Sequence, residues 1–346
     1  MAIDPVTLFL LAGASLAVGF LGSVLHRRTG IPDILILMFL GIVLGPMLGL
    51  FDKVAFQAAT PYFAPLALVM ILFDGGLNLS ARSVARGFGV SIAHTGLTFL
   101  SGMFVFFLFL NQVLHHSLFD SLAFGAALGG TSGVVVLGLV QRVSASEKAR
   151  TVMALESVIT DVLCVVVALT LLGISTGVTP GDPLPALTQI GLQFGIALLT
   201  GLAAGLAWMG ALHHLHGVKY AFVLTLAVLL MLYAVTEMLG GSGAVAALIF
   251  GLVIGNSETF AGLVRIRAEV KFDESLKHFQ SEVSFIVRTF FFVYLGVVFS
   301  LSALQDSRLL VIGIALFLGI LILRALISSA TSRANGMERG DGRALT

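Results

Sequence analysis

Charge is what this 346-residue chain has least of. Only 11% of its residues are Asp, Glu, Lys or Arg, against about 25% in an ordinary soluble domain. With 58% hydrophobic residues and a mean hydropathy of +1.06, the shortage excludes a water-soluble globule and leaves a polytopic membrane protein. An excess of one sign is missing too: nineteen basic residues face eighteen acidic ones, so nothing offers nucleic acid an electrostatic footprint. A single cysteine, Cys164, rules out an internal disulfide framework and a thiolate metal cluster. No basic segment precedes the apolar residues 6–21, which makes them a first span rather than a cleaved signal peptide. No nucleophile–base pair, phosphate loop or metal-ligand spacing occurs, so neither an enzyme nor a bound cofactor is expected. What the chain has in quantity is glycine, 39 residues, which here signals close helix packing and interrupted helices.

Apolar runs long enough to span a bilayer fall at about 6–25, 31–50, 62–79, 88–112, 121–140, 151–173, 187–211, 220–239, 241–255, 282–301 and 309–330. They predict an all-α, polytopic bundle of eleven membrane helices. Lys and Arg are distributed unevenly between the loops. With the N-terminus outside, fifteen of the nineteen lie on the cytoplasmic side, only Lys53 and Arg308 lie opposite, and Arg288 and Arg324 fall inside spans. The positive-inside rule therefore sets the orientation, and the clean alternation supports the count. Residues 331–346 become a polar cytoplasmic tail, and the mixed-charge stretch 256–281 an amphipathic surface segment.

Span 6 carries Glu156-Ser157-Val158-Ile159-Thr160-Asp161 in an otherwise apolar run from Thr151 to Gly173. At about 1.5 Å of rise per residue, Glu156 lies about 8 Å into the span and Asp161 about 15 Å, near the middle of a hydrocarbon layer about 30 Å thick. A carboxylate there is costly unless it faces protein, water or an ion, so it marks a functional site. Asp74, Glu156, Arg288 and Arg324 share a shallower level, where two acids and two guanidiniums can neutralise one another. Asp161 has no basic residue at its own depth. Span 5 brings Gly129, Gly130, Thr131, Ser132 and Gly133 to the middle of the membrane. Each glycine weakens a helix by roughly 1 kcal/mol relative to alanine, and a break there exposes carbonyls and the two hydroxyls. Irregular backbone at this depth is tolerated where it lines a cavity, and transporters build cation sites from it.

These segments resemble the monovalent cation:proton antiporter superfamily, and within it the NhaP-type sodium/proton antiporters. The likeness is carried by Ile31-Pro32-Asp33-Ile34 leading to Gly41 and Gly45-Pro46, and by Leu72-Phe73-Asp74-Gly75-Gly76-Leu77. The Thr131-Ser132 break, Glu156-Ser157 before Thr160-Asp161, Arg288 through Gly296, and Arg324 complete it in the same order. The resemblance implies an inverted-repeat antiporter fold: a first repeat over about 1–173, a linker helix at about 187–211, and a second repeat over about 220–330. It also implies a homodimer. Asp161 is then the group that alternately holds cation and proton, with Ser157, Thr131, Thr160 and Ser132 supplying oxygen ligands. Glu156 is a structural acid paired with Arg324, with Arg288 close by, and Asp74 belongs to that cluster or to a cytoplasmic ion funnel.

Some features depart from the family pattern. Thr160 stands where Asn is common, Ser132-Gly133 where Asp-Pro is common, and Asp74 where Glu is frequent. The family continues for two further helices, so this sequence is expected to be an incomplete one. The function implied is exchange of Na⁺, and also Li⁺, for H⁺ across a plasma membrane by alternating access at a single-carboxylate site. A K⁺/H⁺ antiporter of the same fold and a non-transporting channel or sensor both stay open at this point. The histidines His213, His214 and His216 read as interfacial residues, and Cys164 as a small packing residue.

Overall fold

The computed structural model describes residues 5–29, 32–51, 53–131, 136, 145–177, 183–214, 221–260, 274–301, 306–338 and 340–346. Among the described residues, eleven apolar helices each overlap one of the eleven apolar runs. In chain order they are α1 (Pro5–Thr29), α2 (Asp33–Ile42, continued by a π turn Val43–Met47), α3 (Lys53–Asn78), α4 (Ala81–Gln112), α5 (Leu118–Leu128) and α6 (Glu147–Ser175). They continue as α7 (Pro183–His214), α8 (Ala221–Met238), α9 (Gly243–Gly255), α10 (Glu274–Val298) and α11 (Ser307–Ala334). Seven are long and apolar enough to cross a membrane, and α2, α5, α8 and α9 are shorter apolar helices. Large apolar side chains such as Phe317, Leu318 and Ile322 on α11 are exposed, as lipid-facing residues are.

Helix ends follow local chemistry. Ser146 caps α6, its Oγ accepting from Ala149 N at 3.2 Å, and Glu147 complements the dipole of the first turn. Gly177, at φ +73°, ends that helix with the left-handed turn that glycine adopts without a Cβ penalty. Several helices outrun their apolar runs. The apolar criterion stops where a helix leaves the membrane, whereas α10 starts at Glu274 with polar residues and α4 starts at Ala81. Half of the expected surface segment 256–281 (261–273) lies outside the described residues, as do Ser132 and the side chains of His213, His214 and His216.

The chain forms two compact units. The first comprises residues 1–74 and 273–310, and the second 75–272 and 311–346. In the first, α2 and α10 pack parallel through glycine. A Cβ on Gly41 would collide with Val293 O, one on Gly296 with Met38 O, and one on Gly45 would lie 2.7 Å from Val297 Cα. Small residues at a membrane helix interface let backbones approach this closely. In the same turn of α10 as this crossing, Tyr294 OH donates to Phe56 O at 3.0 Å and hydrogen-bonds the Thr60 hydroxyl. Aromatic residues including Phe56, Phe63 and Tyr294 line an apolar cavity of about 620 Å³ beside it.

In the second unit α4, α5 and α6 form one packed group and α7, α8 and α9 another. Gly125 seats α5 against Met103 of α4, and Gly201 and Gly205 seat α7 against Ala246 and Val253 of α9. After α11 the chain turns back. Asp341 accepts from Ser146 N at 2.9 Å and Ser146 Oγ at 2.6 Å, and Leu345 is buried against Val152 and Met153. The polar segment 335–346 is therefore docked on the start of α6.

Candidate functional site

Helix α6 is fastened at several heights. At one end Ser146 meets Asp341. At the other, Ser175 Oγ donates to Asp120 Oδ1 at 2.5 Å, and Ser117 Oγ donates to the other carboxylate oxygen at 2.7 Å. Between them, Glu156 is 1% exposed and fully engaged. Arg324 takes it from two sides, Nη1 lying 2.8 Å from Oε1 and Nη2 2.9 Å from Oε2. Thr98 Oγ1 adds a hydrogen bond to Oε1 at 3.0 Å. His94 Nε2 lies 3.4 Å from Oε2, at ion-pair distance but too poorly aligned for a full hydrogen bond. His94 Nδ1 meets Thr331 Oγ1 at 3.1 Å, which ties α4 to α11 through the same cluster. A forked guanidinium–carboxylate pair with an added hydroxyl donor is the arrangement that makes a buried charge tolerable.

Asp161 stands five residues further along α6, about 7.5 Å up the axis and well round the helix from Glu156. It is half-buried, where Glu156 is sealed. Beside it α5 ends: Leu128 is its last residue, and the chain bends at Gly129 and Gly130 before Thr131. The break docks onto α6 through Thr160. Thr131 N donates to Thr160 Oγ1 at 3.3 Å, and the two hydroxyls are 3.3 Å apart. Thr160 Oγ1 lies near three carbonyls, Glu156 O at 2.9 Å, Ser157 O at 3.1 Å and Thr131 O at 3.2 Å. One hydroxyl proton serves one acceptor well, and the nearest is Glu156 O, so Thr131 O keeps lone pairs to offer. Ser157 Oγ donates to Ala154 O at 3.0 Å and keeps its own lone pairs. Ser157 and Asp161 are one turn apart on one face. A carboxylate, hydroxyls and a carbonyl gathered at a helix break are the ligand types that hard cations take.

The expected companions divide. Glu156 and Arg324 meet as the sequence suggested. Arg288 does not join them: its Nη2 lies 3.4 Å from Asp33 Oδ2, with the side chains 30% and 13% exposed. The reason is register. Asp33 and Arg288 each precede the Gly41–Gly296 crossing by eight residues of parallel helix, so they arrive at one level. Asp74 lies in the first unit with Arg288; Ser281 Oγ donates to its Oδ1 at 3.2 Å, and the Arg288 charge acts on it. His94 and Thr98 were not anticipated. Their signal was available, since His94 is the one titratable residue in the apolar run 88–112 and Thr98 follows it by a helical turn.

An all-helical membrane bundle with a broken helix docked beside a mid-span carboxylate has the architecture of ion-coupled transporters. The chain belongs to the sodium/hydrogen exchanger family, whose transmembrane profile ("Sodium/hydrogen exchanger, transmembrane") matches residues 13–343. It is 34% identical over 274 residues to a K(+)/H(+) antiporter NhaP2 of Shewanella oneidensis, covering 75% of this chain and 46% of that protein. It is 25% identical over 303 residues to Na(+)/H(+) antiporter 1 of Methanocaldococcus jannaschii, covering 85% of this chain and 69% of the other. The chain thus spans about half the length of the NhaP2 relatives it matches. The fold superposes on the structure of the sodium proton antiporter MjNhaP1 of M. jannaschii with a TM-score of 0.78 at 23% identity, covering 98% of this chain and 82% of that one.

Proposed function

We propose that this chain carries the cation/proton exchange site of a secondary antiporter, with Asp161 as the group that binds one cation or one proton. The observation that supports it best is the half-buried Asp161 beside the α5 break, on a helix whose other buried acid, Glu156, is already neutralised by Arg324. Thr131, Thr160 and Ser157, with Ser132 beyond the described break, supply the remaining oxygens. Because cation and proton compete for one carboxylate, exchange needs no further coupling device. Alternating access then carries the loaded site from one side to the other.

The preferred cation in this reading is Na⁺, with Li⁺ accepted. K⁺ is the second reading, favoured by the K⁺/H⁺ antiporters among the relatives that are at least 30% identical. Placement in the plasma membrane as a homodimer, N-terminus outside, with the first repeat ending near 173 and α7 as the linker, belongs to the same proposal. So does Asp74 as a residue of the cytoplasmic entrance. The test is cation-driven proton movement in proteoliposomes, read with a trapped pH dye. Wild type is expected to dequench the dye on adding Na⁺ or K⁺ and to saturate, and Asp161→Asn to give none. A current carried down a cation gradient without proton movement would replace antiport with a channel.

A further inference from the structure

The break in α5 is wedged between two helices. On one side it meets α4, where a Cβ on Gly129 would lie 3.0 Å from Met103 N and 3.3 Å from Gly102 C. On the other it meets α6 at two side chains. Thr160 reaches Thr131 with its hydroxyl, and the Cys164 thiol touches the Gly130 backbone. A methyl on Gly130 would collide with Cys164 Sγ and stand 3.2 Å from Thr160 Cβ. Gly129 is right-handed, at φ −78°, and Gly130 is not among the glycines with positive φ. These two glycines are therefore required by close approach and not by a turn. Cys164 is one helical turn beyond Thr160 and three residues after Asp161, so the seat and the carboxylate share one stretch of rigid helix.

Resting on the antiport reading above, we propose that Cys164 is a positioning residue that sets the cation preference of the Asp161 site. Its thiol fixes how far the Gly130–Thr131 backbone stands off α6, and hence how far Thr131 O stands from the carboxylate. Alkali ions differ in radius by roughly a few tenths of an ångström, and a site built from carbonyl oxygen responds to displacements of that size. A bulkier side chain at 164 lifts the break and favours the larger ion. A hydroxyl of similar shape leaves the spacing as it is.

The experiment measures kcat and KM for Na⁺ and for K⁺ with the full chain in proteoliposomes. Cys164→Ser is expected to keep the ratio of the two KM values within about twofold of wild type. Cys164→Val is expected to shift that ratio toward K⁺ by about fivefold or more, with kcat changed by less than about threefold. Gly130→Ala is expected to lose most transport, and Gly130→Ala/Cys164→Ala to regain it. An unmoved ratio in a Cys164→Val protein that elutes and melts like wild type overturns the proposal, and so does an equal shift in Cys164→Ser. If Cys164→Val fails to fold, the double variant decides, and no recovery there overturns it. Wild-type protein without cation-driven proton movement would defeat the antiport reading itself. Wild-type flux with an unmoved ratio defeats only the role of Cys164.

Discussion

Glu156 and Asp161 are two acids on one membrane helix, about 7.5 Å apart along its axis, and the protein treats them in opposite ways. Glu156 is sealed at 1% exposure with a forked arginine, a threonine and a histidine around it. Asp161 is only half-buried, beside an interrupted helix. The first arrangement fixes a charge permanently, and so it can hold α4, α6 and α11 together but cannot exchange anything. The second leaves a carboxylate whose ligand can change. The contrast teaches that charge deep in a membrane is not one signal but two, and that burial together with a forked arginine marks the structural one.

The largest expected effect comes from breaking the sealed acid. Glu156→Gln strands the Arg324 guanidinium in a dry site, and removing one partner of a buried pair costs about 3–5 kcal/mol. Thermal unfolding in detergent should show a large fall in midpoint. Asp161→Asn should barely move that midpoint while abolishing exchange, and a matching fall would erase the distinction between the two acids. Next comes Thr98→Val, which removes a hydrogen bond to an ionised group worth about 1.5–3 kcal/mol. It should lower the melting midpoint without altering cation preference.

The smallest effect is at the end of α6 away from Ser146. The Ser175 and Ser117 hydroxyls that donate to Asp120 hold its carboxyl below the ordinary carboxylate value. A depressed folded-state pKa contributes stability above the unfolded value of about 3.9 and loses it as pH falls through the folded one. Asp120→Asn should therefore slightly lower stability at neutral pH, flatten the acid limb of a stability-versus-pH curve and leave the slope near pH 7 unchanged. An altered slope near pH 7 would contradict that assignment.

Much of the architecture was legible beforehand because a bilayer imposes helices and a length. Each of the eleven apolar runs holds a helix among the described residues, and the family resemblance put Arg324 first as the partner of Glu156. Depth alone could not pair Arg288. Four charged residues at one level admit several matchings, and the Asp33 partner follows only from the glycine crossing of α2 on α10. The run Gly129-Gly130 announced a break but not its purpose, since loss of helix propensity and close approach leave the same residue in the sequence. His94 escaped because attention to formal charge passes over a histidine in an apolar span, although polarity at that depth carried the same message.

The central claim is that cation and proton contend for a single carboxylate, and the pH dependence of the cation KM tests it most directly. In proteoliposomes at fixed membrane potential, the account predicts that KM rises by about tenfold for each unit the pH falls below the pKa of the site, with kcat unchanged. A KM independent of pH across the range in which Asp161 titrates would contradict it.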